Sequence, residues 1–125
     1  MRVHHIGIAC SDIDEAIEEL SKFHTIQSRS ETVFDPGQNA SLCMVSTELG
    51  LDFEFISGEQ VARLLKKGVS YYHLCYEVEN LEAVIEKYIA DGAMLISPSK
   101  PAVLFGGKRV AFLYVSYGLI ELVEQ

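Results

Sequence analysis

Apolar and polar residues alternate along short segments of this chain, and other segments repeat apolar residues at helical spacing. Alternation over four to eight residues is typical of half-buried strands, whereas apolar residues three and four apart are typical of amphipathic helices. The pattern predicts three helices, at about 13–23, 59–66 and 80–90. The predicted strands are 3–9, 25–34, 40–46, 51–56, 71–78, 93–96, 109–115 and 119–124. The segment 97–107, which carries two prolines and two glycines, is predicted as the longest loop.

The chain contains an internal repeat of this order of elements. His5 on the opening strand of the first half aligns with His73 on the opening strand of the second half. Glu54 and Glu121 then occur at matching places on the two closing strands. We therefore predict an α+β fold of two βαβββ modules, at about 1–57 and 69–125, within a single domain spanning 1–125. Halves of this size can hardly cover both faces of a sheet, so the modules should pair with each other or across a homodimer.

The repeated His and Glu residues are expected to share one face of each module. Alternate residues of a strand point to the same face, so His5 lies opposite His4 and the apolar residues beside it. Glu54 and Glu121 each stand between large apolar residues, where an unpartnered carboxylate would be costly. We expect the apolar faces to meet the helices and the opposite faces to line a cleft. Two imidazoles and two carboxylates predict a site for one divalent metal ion, and mixed nitrogen and oxygen ligands suit Zn, Ni, Co or Mn.

Composition narrows the classes of function. The net charge of −8 argues against general binding to nucleic acids or anionic membranes. No apolar run is long enough to span a bilayer, and the N-terminus lacks a signal-peptide pattern. The cysteines, Cys10, Cys43 and Cys75, are odd in number and lack metal-binding spacing, which favours reduced, buried thiols and a cytoplasmic location.

The segments 4–9, 72–78, 107–113 and 118–122 resemble the vicinal oxygen chelate superfamily, which includes glyoxalase I and methylmalonyl-CoA epimerase. The resemblance covers nearly the whole chain and implies a glyoxalase-like fold. It implies that the metal ligands are His5, Glu54, His73 and Glu121. It also implies proton abstraction next to a carbonyl, with Glu121 as one base and Glu54 facing it.

Four positions separate this chain from the two named enzyme types. Ala9 stands where glyoxalase I has an arginine that grips glutathione, and Gly58 stands where it has an asparagine. Glu54 matches glyoxalase I, which has glutamate as its second metal ligand, whereas the epimerase typically has glutamine there. Asp35 lies where the epimerase has its second base, and we weigh it as a substitute.

Three functions follow as hypotheses. The first is a metal-dependent isomerase or epimerase of a CoA or other thioester, and the second is a lactoylglutathione lyase acting on a hemithioacetal. The third is a metal-free small-molecule binding module. Tyr71 could hydrogen-bond the substrate or be an ordinary strand aromatic, and Lys108 and Arg109, with Lys100, could meet CoA phosphates or lie solvated on the surface.

Overall fold

A computed structural model describes residues 1–125 and contains nine strands and three α-helices. The helices are α1 (Ile13–Ser21), α2 (Glu59–Lys66) and α3 (Leu81–Ala90). The strands are β1 (Arg2–Ala9), β2 (Ile26–Arg29), β3 (Val33–Asp35), β4 (Ala40–Thr47), β5 (Asp52–Ser57), β6 (Tyr71–Val78), β7 (Met94–Pro101), β8 (Arg109–Val115) and β9 (Gly118–Glu124). The predicted α+β class and the repeated order of elements are confirmed.

The chain divides into two compact units, which are described separately. The N-terminal unit is His5–Tyr72, and the C-terminal unit is Met1–His4 with His73–Gln125. Within the N-terminal unit the strands lie in the order β2-β4-β5-β1, with β3 paired to β4, and β1 runs parallel to β5. Within the C-terminal unit the order is β6-β9-β8-β7, and β6 runs parallel to β9. The opening and closing strands of each half are therefore parallel neighbours.

The core of the N-terminal unit lies between α1 and one face of its sheet. Asp12 caps α1 by accepting a hydrogen bond from the backbone N–H of Glu15 at 3.0 Å. The buried members of this core come from the helix, from β4 and β5, and from the residue after β1: Cys10, Ile13, Ile17, Cys43, Val45 and Phe55. The apolar face thus meets the helix, as predicted.

The C-terminal unit repeats this arrangement with α3. Asn80 caps the helix by accepting from the backbone N–H of Ala83 at 3.1 Å. The buried core comprises Val78, Leu81, Ile85, Ala111, Leu113, Ile120 and Leu122. Ile120 and Leu122, the two neighbours of Glu121, both face this core, so Glu121 points to the opposite face of the strand.

Two predicted segments have a different structure. The predicted strand 25–34 is interrupted between β2 and β3, where the Ser30 hydroxyl accepts a hydrogen bond from the backbone N–H of Met44 at 2.9 Å. Short polar side chains can take over backbone hydrogen bonds in this way and end a strand. The predicted loop 97–107 is wrong in its first half, because β7 continues to Pro101 with irregular register. β7 is an edge strand, where proline is tolerated.

None of the helices has both the length and the apolar character that crossing a bilayer requires.

Candidate functional site

The first candidate pair lies on the parallel strands β1 and β5 of the N-terminal unit. Gly7 is the direct neighbour of Glu54, and His5 lies two residues earlier on the same face as Gly7. The Nε2 atom of His5 lies 3.5 Å from Oε1 of Glu54. His5 is fully buried and Glu54 is 3% exposed, so the imidazole and the carboxylate face each other away from bulk solvent.

The second candidate pair repeats this register on β6 and β9 of the C-terminal unit. Cys75 is the direct neighbour of Glu121, and His73 lies two residues before Cys75. The Nε2 atom of His73 lies 3.2 Å from Oε1 of Glu121, and both side chains are buried. The sequence repeat therefore corresponds to one local geometry formed twice, with a histidine and a glutamate on adjacent parallel strands.

Apolar side chains surround the second pair. Phe112 lies opposite Glu121 on β8, and its ring meets the His73 imidazole edge-on with centroids 5.5 Å apart. A buried cluster continues this face with Cys75, Ala102, Val110, Phe112 and Val123. Ionised carboxylates in such surroundings are stable when they coordinate a cation or accept charged hydrogen bonds. A neutral imidazole nitrogen and a carboxylate oxygen at this separation match the donor chemistry of a transition-metal site.

Phe112 is a neighbour of the site that the sequence analysis did not identify. The signal was present in the hairpin formed by β8 and β9, whose short turn at 116–117 sets the register. Counting outward from that turn pairs Val115 with Gly118 and hence Phe112 with Glu121. The turn could therefore have identified Phe112 without the structure.

The two positions that distinguish this chain from glyoxalase I have clear structural settings. Ala9 is the last residue of β1 and is 2% exposed. Its methyl side chain has no charged group that could bind a glutathione carboxylate. Gly58 precedes α2 with φ of +134°, a conformation that L side chains rarely adopt. A Cβ atom there would lie 2.9 Å from the backbone oxygen of Asn39. The backbone at 58 thus disfavours the asparagine of glyoxalase I.

The Asp35 carboxylate is hydrogen-bonded within its own turn. Its carboxylate accepts hydrogen bonds from the backbone N–H of Gly37 at 2.9 Å and from Nε2 of Gln38 at 3.1 Å. The side chain is buried, and these contacts fix the turn that leads into β4. This arrangement accounts for an aspartate at position 35 without a catalytic role.

The candidate substrate residues lie outside the buried pairs. Tyr71 begins β6 and is 75% exposed. Arg109 begins β8, where its guanidinium contacts Glu124 at 2.9 Å and Glu82 at 2.8 Å. The hydrogen bond to Glu124 is the main cause that raises the pKa of Arg109, and these contacts hold the guanidinium in place. Lys108 precedes it and is exposed.

The two remaining histidines, His4 and His24, contact other residues. His4 packs edge-on against Phe105 with centroids 5.3 Å apart, within the C-terminal unit. His24 follows α1, and its Nδ1 atom lies 2.9 Å from Glu48. Neither of these contacts involves a residue of the two His–Glu pairs.

The chain is similar to one protein family and to several known proteins. The model of the glyoxalase/bleomycin resistance protein/dioxygenase superfamily matches residues 4–112. An ethylmalonyl-CoA/methylmalonyl-CoA epimerase from Cereibacter sphaeroides is 25% identical over 119 residues, which cover 90% of this chain and 87% of that protein.

Two solved structures show the same fold. The methylmalonyl-CoA epimerase from Mycobacterium tuberculosis superposes with a TM-score of 0.83 at 20% identity, over 98% of this chain and 87% of that one. A hypothetical protein from Bacillus halodurans C-125 superposes with a TM-score of 0.79 at 19% identity, over 99% of this chain and 94% of that one. The predicted glyoxalase-like fold is confirmed.

Proposed function

The chain belongs to the glyoxalase/bleomycin resistance protein/dioxygenase superfamily, and we propose that it is a metal-dependent isomerase that moves a proton next to a thioester carbonyl. The observation that carries this proposal is the buried His–Glu pair formed twice in the same strand register. Burying an imidazole beside a carboxylate costs free energy unless both groups are paired or bind a metal ion, and such buried titratable groups are concentrated at functional sites. Occurrence of the pair at both places of an internal repeat favours a shared role.

We propose that His5, Glu54, His73 and Glu121 bind one divalent metal ion, with Zn, Ni, Co and Mn as candidates. Two neutral imidazoles and two carboxylates would balance the charge of a dication. All four side chains are almost completely buried, whereas glutamates are mostly exposed in folded proteins. This burial supports their assignment as metal ligands. When bound, the ion supplies Lewis acidity that stabilises negative charge on a substrate carbonyl oxygen.

Glu121 is the proposed base that takes the proton from the carbon next to the carbonyl. The C–H bond breaks, the proton passes to a Glu121 oxygen, and the electron pair remains on the substrate as an enolate. Delivery of a proton to the opposite face of that carbon completes an epimerisation, and Glu54 is the proposed proton donor on that face. Phe112 and the buried cluster beside it exclude water from Glu121, which strengthens the electrostatic interactions there.

The thioester carrier is proposed to be CoA. The similarity to the Cereibacter epimerase supports this choice, and Ala9 and Gly58 both argue against glutathione. Tyr71, Lys108 and Arg109 are the proposed contacts to the carrier. For Arg109, binding a phosphate would replace its ion pairs with Glu82 and Glu124 by a charge-assisted contact of similar geometry.

The glyoxalase-type lyase is the second candidate, because Glu54 is the second ligand expected of glyoxalase I. Both candidates are tested on one preparation loaded separately with Zn, Ni, Co or Mn. With methylmalonyl-CoA in heavy water, we expect deuterium at the carbon between the two carbonyl groups, detected by proton NMR. With methylglyoxal and glutathione, we expect no lactoylglutathione. Lactoylglutathione formation without deuterium exchange would reverse the assignment.

A further inference from the structure

A row of three apolar side chains extends from the second His–Glu pair toward the edge of the sheet. Leu119 lies two residues before Glu121 on β9 and so shares its face. Tyr114 of β8 lies directly opposite Leu119, and Met94 of β7 lies directly opposite Tyr114. We call Leu119, Tyr114 and Met94 the apolar row.

Exposure increases along this face with distance from Glu121. Glu121 and Phe112 are 1% and 5% exposed, Leu119 is half-buried, and Tyr114 and Met94 are 50% and 64% exposed. The row therefore begins beside the proposed base and opens to solvent at β7. Its three side chains carry no charge, and the Tyr114 hydroxyl is the only one of their groups that donates a hydrogen bond. An uncharged hydrocarbon group is the ligand chemistry that such a surface favours.

We propose that the apolar row binds the alkyl substituent on the reacting carbon of the substrate. This inference rests on the proposed function and refines it, because it identifies the substrate class as malonyl-type thioesters with a 2-alkyl group larger than methyl. The carbon whose proton is removed must lie beside Glu121, and Leu119 is the next residue on that face. A longer substituent would reach Tyr114 and then Met94, and would cover apolar surface that is otherwise exposed.

The size of the row favours a small substituent over a second copy of the chain. Aromatic and similar side chains present about 150–250 Å² each when fully exposed, so these partly exposed residues present on the order of 250 Å² together. A stable protein interface needs roughly 800 Å² from each partner. The row alone falls well short of that area, whereas an alkyl group of a few carbons would fit within it.

Methyl NMR can detect the substituent directly. The chain has three methionines, and labelling them with carbon-13 at the methyl group gives a resonance for Met94, assigned with Met94→Leu. The zinc-loaded protein is titrated with 2-methylmalonyl-CoA and with 2-butylmalonyl-CoA. We expect the Met94 resonance to shift with the butyl compound and to move little with the methyl compound. Equal shifts with both compounds, or none, would overturn the proposal.

A pair of tyrosine variants tests the same idea in turnover. Tyr114→Ala is expected to lower kcat/KM for deuterium exchange of the butyl compound by about tenfold, with less than about twofold change for the methyl compound. Tyr117→Ala is the matched control, because Tyr117 is 64% exposed and hydrogen-bonds Tyr76, whose side chain packs with the α3 core on the other face of the sheet. This variant should leave the ratio of the two rates unchanged.

The outcomes separate this inference from the proposed function. Exchange of the methyl compound with a rate ratio unaffected by Tyr114→Ala would leave the isomerase in place and remove the role of the row. Absence of exchange with both compounds would contradict the proposed isomerase activity and, with it, the proposed role of the apolar row. Sedimentation provides a further check, since a dimer that Tyr114→Ala dissociates would identify the row as a contact between copies and overturn the proposal.

Discussion

Replacing Glu121 by glutamine is expected to abolish proton transfer while the protein stays folded. Glutamine has nearly the same shape and keeps an oxygen at the end of the side chain, but it cannot accept a proton as a carboxylate does. General-base catalysis contributes about a hundredfold to ten-thousandfold, so we expect kcat for deuterium exchange to fall at least about a hundredfold. The rate is measured by proton NMR on methylmalonyl-CoA, with circular dichroism and thermal unfolding to verify the fold.

The matched control for this variant is Glu124→Gln on the same strand. Glu124 lies three residues beyond Glu121, and its carboxylate contacts the backbone N–H and the Nε atom of Arg109. The control variant removes one negative charge from β9 but leaves the buried pair intact, so its kcat at saturating substrate should remain within about twofold of wild type. Any effect through Arg109, a proposed carrier contact, should appear in KM. Full turnover by Glu121→Gln would show that Glu121 is not the base.

The second large effect is stabilisation of the protein by divalent metal. A ligand that binds only the folded state stabilises it by about 4 kcal/mol when present at a thousand times its dissociation constant. We therefore expect saturating zinc to raise the unfolding temperature of the chelator-treated wild type by roughly 10–20 °C. His73→Ala removes one proposed ligand and should lose most of this rise. The measurement is thermal unfolding followed by circular dichroism, with and without added metal.

His24 provides the control for the metal effect. His24 contacts Glu48 and is not a proposed ligand. His24→Ala should therefore respond to zinc as the wild type does, whatever it does to the unfolding temperature of the metal-free protein. A wild type whose stability is indifferent to all four candidate metals would favour the metal-free binding module.

The secondary structure was predictable where local signals agree. Asp12 and Asn80 each precede an apolar repeat at helical spacing, and both cap their helices as that position indicates. β6 and β8 occupy the predicted residues because alternation and β-branched or aromatic residues coincide there. Repetition of the same order in both halves strengthened each assignment.

The strand interruption and the extended edge strand depended on contacts that local patterns do not contain. Ser30 ends β2 because its hydroxyl accepts the backbone N–H of Met44, a residue on a neighbouring strand. Pro98 and Pro101 indicated a loop, yet both lie in β7, which pairs with β8 alone and therefore leaves one side free for residues without an N–H. Tertiary pairing outweighed local propensity in both cases.

The candidate residues themselves were predictable from the repeat, whereas their register was not. Alternation placed His5 and His73 opposite the apolar faces, and the glutamates stood out as charges between large apolar residues. The side-by-side placement of each histidine and glutamate required parallel pairing of the opening and closing strands, which are distant in sequence. Long-range pairing of this kind carries no local signal.

The measurement that tests the central claim most directly is metal content by mass spectrometry on protein purified without a histidine tag. The wild type is compared with His5→Ala after reconstitution with each of Zn, Ni, Co and Mn and removal of free metal. We predict about one ion per chain in the wild type and a large loss in His5→Ala. A wild type that retains no metal after reconstitution, or a variant that retains as much as the wild type, would contradict the proposed metal centre.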